Sequence, residues 1–193
     1  MVMTASTMME LGTKAIDFSL PATDGSQVSL ASLQPRKALV VLFICNHCPY
    51  VIHIAPKLAE LAKSYQQQGV AFVAINSNDA EQYPADNFDN MKLEAESRGY
   101  TFPYLFDESQ EIAKAYDAAC TPDIFVFDGQ DSLVYRGQFD DSRPFRISSG
   151  NYDSEQNPAT GADLAKALDE ILAGKTPSPE QKASLGCNIK WKE

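Results

Sequence analysis

The chain has 193 residues, 44% of them hydrophobic, enough to bury one substantial core in a single domain. Its 26 acidic against 16 basic side chains give a net charge of -10, which repels phosphate backbones and anionic lipid and argues against nucleic-acid or membrane-surface binding. No stretch approaches the ~20 apolar residues of a membrane span, and the start MVMTASTMMELGTK lacks a basic region followed by an apolar one, so the expectation is a cytoplasmic protein.

Residues 17–30, DFSLPATDGSQVSL, alternate apolar and polar around Asp24-Gly25, a pattern for a short hairpin or two edge strands joined by a tight turn. The run Ala38 to Ile44 (ALVVLFI) is continuous and branched, as in a strand buried on both faces. From Val51 the apolar positions Ile54, Ala55, Leu58, Leu61, Ala62 and Tyr65 recur at helical spacing, with Pro56 inside and Gly69 as a stop. His53 falls on the polar side with Lys57, Glu60 and Ser64 and is expected at the surface.

A second buried strand, VAFVAIN (70–76), is followed by a polar segment (77–87), a helix around 88–98, a strand over 101–107 and a short helix at 110–117. CTPDIFVFDGQDSLVYRGQF then reads as two strands joined through Asp128-Gly129. Residues 139–160 are polar and read as a long functional, interfacial or mobile loop, and a last helix covers about 161–173. In the tail, Leu185, Cys187, Ile189 and Trp191 alternate with Gly186, Asn188, Lys190 and Lys192. A period of two predicts that this segment docks in extended form, on the body or on a neighbouring subunit of a homodimer.

The chemistry is concentrated in FICNHCPYV, residues 43–51. Proline is favoured at the first position of a helix, where its missing N–H leaves nothing unpaired, so Pro49 makes Cys48 the N-cap. A thiol there faces the positive end of the helix dipole, which can lower its pKa from about 8.5 into a range of roughly 3.5 to 7.5. Cys48 is therefore the candidate nucleophile. Cys45, three residues back, lies within reach of a short-loop disulfide and is the candidate resolving thiol. His47 between them could stabilise a thiolate when protonated, or simply be solvated. Two alternatives stay open: two buried apolar thiols, or half of a zinc site, for which only Cys120, Cys187, His47 and His53 remain besides carboxylates.

The order of the 17–30 hairpin, the buried strand, the cysteine at a helix start, the inserted helical region and CTPDIFVFDGQDSLVYRGQF resembles the thioredoxin-like superfamily. Within it the chain is similar to the alkyl hydroperoxide reductase C/thiol-specific antioxidant family, which includes peroxiredoxins and thiol-disulfide oxidoreductases. The resemblance covers about residues 14–137. It implies a cis-proline loop at Thr121-Pro122 that binds the backbone of a substrate thiol or peptide, next to a third cysteine, Cys120. It departs from the family at several points: C-G-P-C is absent, and the peroxiredoxin P-x-x-x-[TS]-x-x-C pattern places Val41 and Cys45 where proline and Thr/Ser should stand. Arg136 could supply the peroxide-polarising arginine of those enzymes, or be an ordinary surface ion pair of its strand. Cys187 could resolve from a distance, as C-terminal cysteines do in some peroxiredoxins.

The expected architecture is thus α/β: a thioredoxin-like domain over residues 1–174 with an N-terminal β-hairpin and a central mixed sheet flanked by helices, and an extended C-terminal tail over 175–193. The expected activity is thiol-disulfide exchange through Cys48 and Cys45, with Thr121, Pro122 and His47 around the substrate and Cys120 and Cys187 as additional thiols. Hydroperoxide reduction through a Cys48 sulfenate, or a redox-silent binding module, are the alternatives. Substrates would be protein or small-molecule disulfides, or hydroperoxides, with a thiol as electron donor and neither a cofactor nor a metal.

Overall fold

The structure, a computed structural model, describes residues 3–193. In chain order the elements are β1 (Met3–Ala5), β2 (Ser19–Pro21), β3 (Gln27–Ser29), β4 (Ala38–Phe43), α1 (Pro49–Gln66), β5 (Val70–Asn76), α2 (Phe88–Arg98) and β6 (Tyr104–Phe106). They continue with α3 (Glu111–Ala115), β7 (Cys120–Thr121), β8 (Asp123–Asp128), β9 (Leu133–Arg136), β10 (Phe145–Ser148), β11 (Asn151–Asp153), α4 (Ala162–Leu172) and β12 (Leu185–Asn188).

Five strands form the central sheet in the order β6-β5-β4-β8-β9. β4 runs parallel to β5 and antiparallel to β8, so the sheet is mixed. Every residue of β4 is buried, because layers cover both faces. Val40 and Leu42 point to the side of Ile54, Leu58, Leu164 and Leu168 from α1 and α4, while Leu39, Val41 and Phe43 meet Phe18, Ala113, Tyr116 and Ile189 on the other. The period of two in a branched strand thus feeds two cores at once. The predicted hairpin is present as β2 and β3, paired from Ser19–Ser29 to Pro21–Gln27, and its turn is closed by Ala22 N–H to Ser26 O.

Helix α1 starts at Pro49 with Cys48 as N-cap and runs through Pro56 without a break. His53, expected on the surface, is buried instead. The segment after β9 folds across that side of α1, and His53 Nε2 lies 2.8 Å from Ser142 Oγ, which donates to Asp140. The stretch expected as one long loop also carries structure, the hairpin of β10 and β11.

The tail joins its own chain. β12 lies between β1 and β7, antiparallel to both, with Cys187 opposite Met3 on one side and Thr121 on the other. Beyond the strand, Ile189 N–H donates to Ala119 O, and the Lys190 carbonyl accepts from Asp79 N–H and Gln110 Nε2. The alternation ends there: Lys190 is buried, whereas Trp191 is exposed and meets Lys114 by a cation–π contact. Gly186 permits the close approach, since a Cβ at this position would fall on the Thr121 carbonyl. Gly186→Ala is expected to cost about 1–3 kcal/mol through this overlap, read as a lower urea midpoint, together with faster maleimide labelling of Cys187 in the native state. Unchanged stability and labelling would show that the tail does not depend on this contact.

Candidate functional site

Four elements converge on Cys48. The end of β4 and the start of α1 carry Cys45 and Cys48, β7 brings Thr121, and β12 brings Cys187. Cys48 Sγ lies 2.9 Å from Cys187 Sγ and 3.1 Å from the Thr121 carbonyl oxygen. Cys45 Sγ lies 3.4 Å from Thr121 Oγ1. None of the four cysteines is in a disulfide and all are buried; Cys48 is 0% exposed and Cys187 3%. The Thr121–Pro122 peptide is cis. This is the loop that the resemblance singled out, and β12 now pairs with it.

The electrostatics single out Cys48. Burial pushes its thiol up, but hydrogen bonding from Cys187, Cys45 and Thr121, with a smaller share from the Val51 N–H, outweighs this and brings its pKa well below the ordinary thiol range. The Cys187 thiol is held up by its hydrogen bond to Cys48 and by burial, and the Cys45 thiol by burial, by its bond to Cys48 and by the charge of Asp86. Of the three thiols, Cys48 is thus the one whose ionisation its neighbours favour. The Thr121 carbonyl opposes ionisation, since it can only accept the Cys48 proton.

Cys120 lies beside this group rather than in it. Its Sγ faces the Pro122 carbonyl at 3.4 Å, and burial and the neighbouring Asp123 carboxylate push its thiol up. Asp123 is itself pushed up to about 6 by burial, against hydrogen bonds from Ser6 and nearby amides. Arg136 is engaged by Gln181: its backbone N–H and its Nη1 both bond Gln181 Oε1.

His47, with a ring nitrogen within 4.8 Å of the Cys45 sulfur, meets a residue that the sequence did not single out. Its Nδ1 lies 2.6 Å from Asp86 Oδ2, and its ring stacks on Tyr83. Asp86, fully buried at the end of the short 3₁₀ turn Pro84–Asp86, accepts from the Asn46 N–H at 2.8 Å and from Asn78 Nδ2 at 2.7 Å. Asn46 in turn accepts from the Tyr104 hydroxyl and donates to the Ala85 carbonyl. The loop between the two cysteines is thereby tied to the polar insertion after β5. Among the described residues, Cys45, His47 and Asp86 form one group whose donor atoms all lie within 4.8 Å of one another. No helix of the described residues is long and apolar enough to cross a membrane.

The AhpC/TSA family model matches residues 11–136. The thiol-disulfide oxidoreductase ResA of Geobacillus thermodenitrificans is 28% identical over 125 residues, 65% of this chain and 67% of that protein; the matches to the ResA proteins span about two thirds of their length. A crystal structure of an uncharacterized conserved protein from Geobacillus kaustophilus superposes with a TM-score of 0.91 at 51% identity, over 100% of this chain and 97% of that one. The peroxidoxin BcpB of Mycobacterium tuberculosis shares the fold, with a TM-score of 0.61 at 21% identity, over 86% of this chain and 97% of that one. With more than half of its length matched by the family model and a mixed thioredoxin-like sheet beneath the cysteines, the chain belongs to the AhpC/TSA family.

Proposed function

We propose that this chain is a thiol-disulfide oxidoreductase in which Cys48 is the attacking thiolate. The observation that carries the reading is the convergence of two further cysteines, Cys45 and Cys187, on the buried Cys48 at a helix N-terminus. In the first step Cys48 attacks one sulfur of a substrate disulfide; the other sulfur leaves as a thiolate, which takes up a proton. In the second, a resolving thiol loses its proton, attacks Cys48 Sγ and expels the remaining substrate sulfur. The enzyme is then oxidised by two electrons, and an external thiol donor restores it. No organic cofactor enters this cycle.

Cys45 serves as the resolving thiol within the C-x-x-C loop. A second reading gives this step to Cys187, and the 2.9 Å separation of its Sγ from Cys48 favours it. Thr121-Pro122 is the platform for the substrate main chain. β12 already uses that edge, antiparallel to β7 and with a cysteine facing Cys48, which is the arrangement a peptide thiol would adopt. Hydroperoxide reduction has weaker support, since Val41 and Cys45 replace the peroxide-orienting residues and Arg136 is bound to Gln181. The same reading places residues 1–174 in one domain with 175–193 as a redox-bearing tail, acting in a reducing compartment such as the cytoplasm, where the thiols are regenerated.

Cys48→Ser is expected to abolish reduction of insulin disulfides; an active variant would sink the assignment. Mass spectrometry after mild oxidation then separates the resolving thiols, because a Cys45–Cys48 bridge and a Cys48–Cys187 bridge give different linked peptides. The variant that lacks the true resolving thiol should accumulate a mixed disulfide on Cys48.

The pH dependence carries its own sign. Reactivity follows the thiolate fraction, so a pKa lowered from the ordinary value keeps Cys48 ionised as pH falls. Alkylation of Cys48 by iodoacetamide should stay nearly flat from pH ~8 down to ~6, whereas an ordinary thiol loses about tenfold per unit below its pKa of about 8.5. A slope of that ordinary size would show that the neighbouring thiols do not stabilise the thiolate.

A further inference from the structure

The group on the far side of Cys45 is not used by the thiol cycle. We propose that Cys45 Sγ, His47 Nδ1 and Asp86 Oδ2 form a binding site for a zinc-class divalent transition metal, separate from the Cys48–Cys187 pair. These three donor types, thiolate sulfur, imidazole nitrogen and carboxylate oxygen, are the ones that bind zinc, and here they lie within 4.8 Å of one another. Cys48 and Cys187 are not members of the group.

A second observation concerns direction. His47 Nδ1 is buried and makes no hydrogen bond, although Asp86 Oδ2 is 2.6 Å away. The ring nitrogen and the carboxylate oxygen therefore sit side by side without a well-aligned hydrogen bond between them. Metal bonds of about 2.0–2.2 Å at tetrahedral angles set neighbouring N and O ligands about 3.3 Å apart, so binding requires this contact to open by roughly 0.7 Å. The His47 side chain, 23% exposed, can make that movement.

The support around the ligands is already in place. Asp86 is fully buried and oriented by the Asn46 N–H and by Asn78, as ligating carboxylates usually are. Its charge faces the Cys45 thiol, whose pKa it helps to raise. A divalent cation would reverse that relation: Cys45 would give up its proton to solvent and bind as thiolate. Three protein ligands leave a fourth position for water. A metal-bound Cys45 cannot bridge to Cys48, so occupancy would withdraw the C-x-x-C couple while leaving Cys187 free to reach Cys48.

The test is Co²⁺ titration of the reduced full-length protein, followed by absorption. The expected result is one ion per chain, with a sulfur-to-cobalt charge-transfer band in the near ultraviolet and visible bands of four-coordinate intensity. Cys45→Ser should lose the charge-transfer band, and Cys187→Ser should keep it. His47→Gln and Asp86→Asn should each weaken binding by at least about tenfold, with the band recovered at saturation. His47→Gln provides the ligand test if the buried Asp86→Asn variant fails to fold. No binding by the reduced protein, or a band that survives Cys45→Ser and disappears with Cys187→Ser, would overturn the proposal. Neither outcome depends on turnover, so it stands or falls apart from the redox reading.

Discussion

The redox centre depends on the pairing of the C-terminal strand with the cis-proline loop. Without β12, Cys48 would keep Cys45 and Thr121 but lose Cys187, whose sulfur lies 2.9 Å from its own. The pairing rests on little: a four-residue strand between a three-residue and a two-residue one. What fixes it is the continuation, where Asn78, Asp79 and Gln110 bond the backbone of Lys190 and Ile189 enters the core beside Tyr116. Main-chain hydrogen bonds set the register and one apolar side chain anchors it, so Cys187 arrives at Cys48 with almost no freedom of position.

The polar insertion after β5 has the complementary task. Asn76, Asn78, Asp79, Asp86 and Asp107 are all buried, an arrangement tolerable only because each finds partners. Asn76 and Asn78 hold Asp86 through its carbonyl and carboxylate, and Asp107 accepts from Ser77 and from the Ala113 N–H. This network orients the cysteine loop from one side and the tail from the other. Both halves of the centre thus hang on one set of amide and carboxylate groups.

Much of this could be read from residue order. ALVVLFI could only be a strand covered on both faces, Pro49 marked where the helix begins, and the alternation from Leu185 announced an extended, docked tail. What could not be read were pairings across long separations. Asp86 stands in a polar stretch with nothing to distinguish it from Asp79 or Asp89, and its role arises only when Asn46, 40 positions earlier, lies beside it. His53 looked like a surface residue because the helical period describes only its own helix; Ser142, which covers it, comes 89 positions later. Met3–Ala5 is too short to announce itself and is a strand only because β12 offers an edge. Lys190 broke the tail's pattern since its backbone is bonded by Asn78, Asp79 and Gln110 while its Nζ bonds Asn188 and lies over the Tyr83 ring.

The placement of Cys187 also bears on the topology of the chain. Cys48 and Cys187 are 139 positions apart, so a bond between them would close most of the polypeptide into a ring, whereas Cys45–Cys48 would close only a single turn. In the chain-entropy model the long ring removes about 5 kcal/mol of unfolded-state freedom and the short one about 2 kcal/mol. Because β12 also pairs with β1, the long ring would clasp both ends of the molecule at once. Oxidation would then act as a fastener on the termini as well as a change of state at a sulfur atom.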